Sequence, residues 1–239
     1  MKTTAVIYDP AVKQTAYILG TVIGFCKLFP AERAPRDWGA FGNVVLVTQG
    51  EAGPVVTVGM QERVTFRPKG EEETVAAAEL IASAFNPIEK PMPDAMLAQE
   101  IEAFLQAHNT LALATGCGKW VRCTPLEYCC TDGRLYIVTE GGRKFKGIWW
   151  NGAVSAAVYD DYKDMRSTKG LQITGRAVYI DPADEEYERV MQSRGLQLVQ
   201  LQQLPSMLHV LRIDVERYEF LNAEFREKGY DGRQVLNLK

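Results

Sequence analysis

The stretch VRCTPLEYCCTDGRLYIVTEGGRKFKGIWWN, Val121 to Asn151, decides how the chain is read. Val121 to Cys130 is rich in strand-favouring residues, and Arg134 to Thr139 returns as its partner. Between them Thr131-Asp132-Gly133 holds an Asp-Gly pair, which suits a tight hairpin turn. Gly141-Gly142-Arg143-Lys144 then sits where strand gives way to helix. Arg143 to Trp150 is helical in pattern, with Phe145, Ile148 and Trp149 on its apolar face. Backbone N–H groups at a helix start point outward with a partial positive charge, which suits a phosphate. The helix dipole disfavours cations at that end, so Arg143 and Lys144 need an anionic partner or full solvation. An arginine fork can hold two phosphate oxygens at once. Arg122 and Thr124 share one face of the first strand. The hairpin brings Arg122 towards the helix start.

Working outward, further strands are predicted at Thr110 to Thr115, Ala153 to Tyr159, Leu171 to Ile180, His209 to Asp214 and Glu216 to Phe220. A helix capped by Asp94 precedes them, with Leu97, Ile101, Phe104 and Leu105 on one face. Another starts at Asp181-Pro182, with Pro182 at its first position and Asp184, Glu185 and Glu186 in its first turn. Several short strands with tight turns and few helices point to a barrel or sandwich.

A composition break falls at Asn86 to Asp94, where Pro87, Pro91 and Pro93 crowd together and read as a linker. It divides the chain into a small α/β domain, residues 1–90, and a larger one, residues 95–239. In the first, Ala5 to Tyr8 and Asn43 to Thr48 read as inner strands. Val12 to Phe29 and Glu71 to Phe85 read as helices, and Val55 to Gly59 with Arg63 to Arg67 as a hairpin. Thr4-Ala-Val-Ile-Tyr8, a helix and Val44 to Thr48 resemble the opening of a flavodoxin-like fold. The phosphate-loop position there reads Asp9-Pro10-Ala11-Val12-Lys13-Gln14-Thr15. An acid and a proline argue against phosphate binding, so this domain is expected to be structural, or a cover over the other domain's site or dimer.

The whole composition narrows the function. Of 239 residues, 46% are hydrophobic and 24% charged, as in an ordinary globular protein. A net charge of −3 gives no global basic field for nucleic acid or membrane, so any anion site must be local. Ala16 to Phe29 is too short to span a bilayer and has no signal-peptide order. The chain is expected in the cytoplasm, with Cys26, Cys117, Cys123, Cys129 and Cys130 reduced. No GxGxxG or Walker loop appears. Two histidines, His108 and His209, and irregular cysteine spacing leave no expected metal site.

In order, Leu111-Ala-Leu-Ala-Thr115, the strand with Arg122 and Pro125, Leu135-Tyr-Ile-Val-Thr139, Arg143-Lys144, Asn151 and Leu171-Gln-Ile-Thr-Gly-Arg-Ala177 resemble the pyridoxamine 5′-phosphate oxidase-like FMN-binding split-barrel family over about residues 100–220. The resemblance implies an α+β chain whose second domain is a six-stranded antiparallel split β-barrel, commonly a homodimer with FMN between the subunits. It implies that Arg122 and the Arg143-Lys144 pair bind the FMN phosphate, with Thr124 beside Arg122. Val138 and Thr139 would line the isoalloxazine ring, partly by backbone, and Gln172 lies near the family's polar ring-contacting position. Tyr136 and Trp150 are candidates for interface or ring-stacking aromatics, with core packing the expected role of each. A flavin carries the redox step itself, so an FMN-dependent oxidoreductase on a small molecule needs no catalytic His or Cys. No catalytic residue is assigned.

Pyridoxamine phosphate oxidases proper end in a segment of Arg, His and Trp that this sequence lacks at Tyr230 to Lys239, so another substrate is expected. The alternative is a non-catalytic flavin or haem carrier, or a sensor. Haem-binding relatives use a late histidine. His209 is the late one here, and its neighbours Leu208, Val210 and Leu211 read as strand core.

Overall fold

The structure, a computed structural model, describes residues 3–59, 64–197, 201 and 203–238. They fall into two compact units, Met1–Pro87 and Ile88–Lys239.

The first unit is built on β1 (Thr4–Tyr8), whose five residues are all buried. It is followed by a 3-10 turn at Pro10–Val12, α1 (Lys13–Ile23) and β2 (Cys26–Pro30). Then come β3 (Asn43–Gly50), β4 (Gly53–Val58), β5 (Val64–Phe66) and α2 (Gly70–Phe85). The sheet order is β2-β1-β3-β4-β5. β1 runs parallel to β2 and β3, whereas β4 and β5 return antiparallel. A strand with parallel neighbours on both sides is shielded on both faces, which explains its unbroken apolar run. One face meets the helices through Val6, Ala16, Leu19, Val45 and Ala78; Ala5, Ile7 and Val44 on the other are covered by Phe29, Trp38 and Phe41. The helix expected over Val12 to Phe29 is corrected. It ends at Ile23, where Gly24 takes φ 70°, and Cys26–Pro30 is a strand. Glycine adopts that backbone freely and stops the helix. The turn of the β4–β5 hairpin, with Arg63, lies outside the described residues.

The second unit opens with α3 (Asp94–Ala107), β6 (Thr110–Cys117), β7 (Trp120–Glu127), β8 (Cys129–Thr131) and β9 (Arg134–Thr139). It continues with α4 (Lys144–Asn151), β10 (Ala153–Tyr159), β11 (Lys169–Ile180), α5 (Glu185–Ser193), β12 (His209–Asn222) and β13 (Arg233–Asn237). The chain is thus α+β, with a curled antiparallel half-barrel in its second unit. The sheet runs β7-β6-β10-β11-β12-β9-β8, with β13 added beside β12. It has eight strands rather than six, because short β8 and β13 join the six long ones. Val121 to Cys130 is not one strand: Tyr128 breaks the pairing, turning inward so that its hydroxyl donates to the Leu105 carbonyl at 2.7 Å. His209 to Phe220 is one strand, not two, with an irregularity between Thr174 and Gly175 on its partner. A Cβ at Gly175 would lie 2.4 Å from the Asp214 carbonyl oxygen, so only glycine lets the strands pass there. Such bulges bend long strands and help a sheet curl.

Leu97, Ile101, Phe104, Leu113, Ile137, Ile173, Leu211 and Phe220 fill the barrel core. α5 covers the opposite face of β9, β11 and β12, where Tyr136, Ile180, Val190, Met191 and Val210 pack. At the edge of that layer Glu186 accepts hydrogen bonds from the Tyr136 hydroxyl (2.7 Å) and Arg212 (2.8 Å). Two helix starts are corrected. Asp94 is the first residue of α3 rather than its cap, and α5 starts at Glu185 behind Asp184, with Asp181-Pro182 in the preceding turn. The proline-rich segment is tied down. Asp231 accepts from the Glu89 and Lys90 N–H groups (2.7 and 3.2 Å), and Gln234 accepts from that of Met92 (2.8 Å). Among the described residues no helix is long and apolar enough to cross a membrane.

Candidate functional site

α4 is set against the barrel by one glycine. A Cβ on Gly147 would sit 2.8 Å from both Thr115 Cβ and Gly116 N, so the helix approaches β6 as only glycine allows. This contact carries Lys144, three residues earlier, into the structure. Lys144 is only 5% exposed, and its ammonium donates to the Gly141 carbonyl. Burial pushes its pKa down; Glu140 opposes that, and the charge of Arg122 lowers it further. Arg122 and Lys144 are therefore within electrostatic reach of each other.

Cross-strand neighbours share a face of the sheet. Arg122 stands opposite Thr115, and Thr124 opposite buried Leu113. Arg122, Thr124 and Thr115 thus lie on the face against which α4 packs. The hydroxyls of Thr115 and Thr124 are buried with no hydrogen-bond partner among the described residues. Neither Arg122, Arg143 nor Lys144 forms an ion pair among them. Two cations and two orphaned hydroxyls share this face with no acid bonded to them among the described residues; Glu140 acts on Lys144 only through its field.

Other expected site residues are placed differently. Arg143 is exposed and forms the N-cap of α4. The first-turn N–H groups of Phe145 and Lys146 already bond to the Gly142 and Arg143 carbonyls (3.2 and 3.1 Å). The positive charge of the cluster therefore comes from side chains more than from a helix-start cradle. Val138 is half-buried and packs against the layer under α5. Thr139 is buried at the end of β9, opposite His209. Gln172 pairs with Ala157, then Ala112, then Pro125. That row lies on the other face of the sheet, three strands from β7, so Gln172 is not brought to the basic pair.

The other side of α4 holds something the sequence did not suggest. Glu140, Gly141, Gly142, Phe145, Trp149, Tyr179 and His209 line a cavity of about 350 Å³. His209 is half-buried at this wall rather than in the core. Its Nδ1 is 3.1 Å from the Tyr179 hydroxyl, and its ring packs edge-to-face on Phe145. The i, i+4 pair Phe145 and Trp149 was the available hint, since the two fall on one stripe of a helix. Thr115 was also missed, because a threonine inside an apolar strand gives no sign that its hydroxyl will lack a partner.

All five cysteines are free. Burial pushes the Cys26 and Cys130 thiols up to about 11 and raises that of Cys129, which disfavours reactive thiolate. No metal-binding cluster occurs among the described residues.

A family model described as pyridoxamine 5′-phosphate oxidase matches residues 97–222, more than half of the chain. No curated protein matches it. Similar solved structures include Campylobacter jejuni ChuZ, 14% identical, covering 81% of this chain and 80% of that one at a TM-score of 0.48. An FAD-binding protein from Mesorhizobium loti is 22% identical over 51% of this chain and 89% of that one, TM-score 0.41. HutZ, the heme storage protein of Vibrio cholerae, is 20% identical over 49% and 89%, TM-score 0.42.

Proposed function

The chain belongs to the pyridoxamine 5′-phosphate oxidase family, and from that premise we propose that it binds FMN and serves as an FMN-dependent oxidoreductase on a small molecule. One observation carries the reading. Lys144 is buried with no acid bonded to it, within reach of the charges of Glu140 and Arg122 and beside two hydroxyls that lack partners among the described residues. A buried charge is costly unless it is paired. A phosphate dianion would pair both cations and accept from Thr115 and Thr124.

In this reading Arg122 and Lys144 hold the phosphate, Arg143 adds charge from the rim, and the backbone at Val138 and Thr139 supports the ring. Gln172, on the far face, makes no phosphate contact. When bound, FMN supplies the redox chemistry. In this reading the substrate is other than pyridoxamine phosphate, because Tyr230 to Lys239 holds no Trp or His. Exposed Val121 and Trp150 suit a homodimer, which gel filtration would reveal. The free thiols suit a reducing cytoplasm.

FMN titration followed by quenching of flavin fluorescence tests the proposal, with saturation expected at one flavin per chain. NADH or NADPH should then bleach the bound flavin and an acceptor restore it. A protein that takes up no FMN would refute the assignment. Binding without bleaching by either donor would leave a flavin carrier rather than an oxidoreductase.

A further inference from the structure

We infer that the cavity between α4, β11 and β12 is a second ligand site, separate from the Arg122–Lys144 cluster, and that it takes a flat aromatic amine or amidine. Its walls are the rings of Phe145, Trp149 and Tyr179, and about 350 Å³ accommodates one or two fused rings. Pockets of this kind combine apolar walls with a few convergent polar groups. Here the polar groups are His209 and Glu140. The Tyr179 hydroxyl engages Nδ1 of His209 at 3.1 Å, so Nε2 is the ring nitrogen left to a ligand. Gly141, at φ 108°, keeps that edge open: a Cβ there would sit 3.6 Å from His209 Nε2 and Cδ2.

Charge selects the ligand class. Glu140 is the only acid among the lining residues, and none of them is Lys or Arg. The Lys144 ammonium, which feels the Glu140 charge, lies 5.6 Å from the Phe145 ring centroid and is turned to the Gly141 carbonyl. A carboxylate at the rim and aromatic faces below it favour nitrogen-bound hydrogens and positive charge. The same carboxylate disfavours an anion, the opposite of the preference across α4.

Benzamidine, with benzoate as its anionic counterpart, tests the inference. The chain has two histidines, so the imidazole ring protons of His209 can be assigned by NMR from His209→Gln. Benzamidine should shift the His209 signals saturably and leave those of His108 in place, with and without FMN. Trp149 is 67% exposed, so its removal should not threaten folding. Trp149→Ala should weaken benzamidine binding about tenfold through loss of a ring face. Trp150→Ala should leave it unchanged, and Glu140→Gln should erase the preference over benzoate. No saturable shift at millimolar benzamidine would overturn the inference, as would equal binding by Trp149→Ala or tighter binding of benzoate. Displacement of benzamidine by FMN would overturn the separation of the two sites. Haem uptake with a Soret band that His209→Gln abolishes would assign the cavity to haem instead.

Discussion

After β1 and again after β9, the chain leaves a buried strand and enters a helix within a few residues. At the first place the Asp9 side chain turns back and accepts the Ala11 N–H at 2.9 Å, in the position an anion would take. At the second, Gly141 and Gly142 lead into Arg143 and buried Lys144, with no carboxylate bonded to either. One junction holds a carboxylate bonded into its turn and is closed; at the other Glu140 lies within electrostatic reach of Lys144 but bonds neither cation. Strand-to-helix geometry offers donors at both ends, and the residues within reach decide whether a ligand is needed.

The sharpest way to break this contrast is to remove a cation from the second junction. Arg122→Ala or Lys144→Ala should weaken FMN binding about a hundredfold, the loss of one charge-assisted contact of ~2–3 kcal/mol, read by flavin fluorescence titration. Lys144→Met, which keeps the buried stem and drops the charge, should lose FMN while melting no lower than the parent. Unchanged FMN affinity in both single variants would remove the distinction between the junctions.

A second test compares two helical glycines. In α4 a Cβ at Gly147 would meet backbone at Gly116 N, 2.8 Å away, and backbone cannot yield cheaply. In α1 a Cβ at Gly20 would meet Leu28 Cδ1 at the same 2.8 Å, the movable end of a side chain. Gly147→Ala should cost ~2 kcal/mol and also weaken FMN binding, because displacing α4 moves Lys144. Gly20→Ala should cost less than 1 kcal/mol, since alanine's better helix propensity offsets much of the clash. Urea denaturation of both variants separates the cases. Equal losses would mean that α4 is not pinned by this contact.

Much of this was legible because local chemistry and fold agreed. Asp132-Gly133 turned the β8–β9 hairpin, with both residues at positive φ (52° and 71°). The alternation of β6 and the apolar stripe of α3 named their buried faces. What stayed hidden depended on contacts distant in sequence. Gly20 and Gly24 look alike in the helical pattern over Val12 to Phe29, and only the second ends it, because Cys26–Pro30 is claimed by β1 as a parallel neighbour. Lys144 looked like any exposed lysine; its burial follows from Gly147 touching β6. The neighbours of His209 read as strand core, and nothing among them shows that Tyr179, thirty residues earlier, stands beside its ring. Pairing across the sheet decides such cases, and one chain's local pattern does not encode it.

The ion cluster under α5 extends the comparison, since its charges, unlike those beside α4, are matched. Burial raises the Glu186 pKa, but the Tyr136 hydroxyl and Arg212 outweigh it, and the net shift is downward. A carboxyl depressed in the folded state stabilises above its unfolded pKa and loses that contribution as pH falls through the folded value. Stability should therefore decline on acidification below the normal glutamate range. Glu186→Gln should flatten that part of the profile and cost ~1–2 kcal/mol at neutral pH. Chemical denaturation across pH reads both. A variant with the parent's acid limb would show that Glu186 is not among the groups responsible.

The smallest effect is expected at the closed junction itself. Asp9→Ala removes the acceptor for the Ala11 N–H and should cost the first unit ~1 kcal/mol, the usual value of a capping side chain. It should not create an FMN site, because no lysine or arginine joins the Ala11 donor within the Asp9–Val12 turn. Inorganic phosphate makes the test specific. If the native carboxylate is a built-in anion, phosphate should raise the melting temperature of Asp9→Ala more than that of the parent chain. Asp9→Asn, which keeps the acceptor without the charge, should recover the stability and respond to phosphate like the parent. Should phosphate leave Asp9→Ala unmoved, the carboxylate is only a local cap, and the difference between the junctions lies wholly in the cations beside α4.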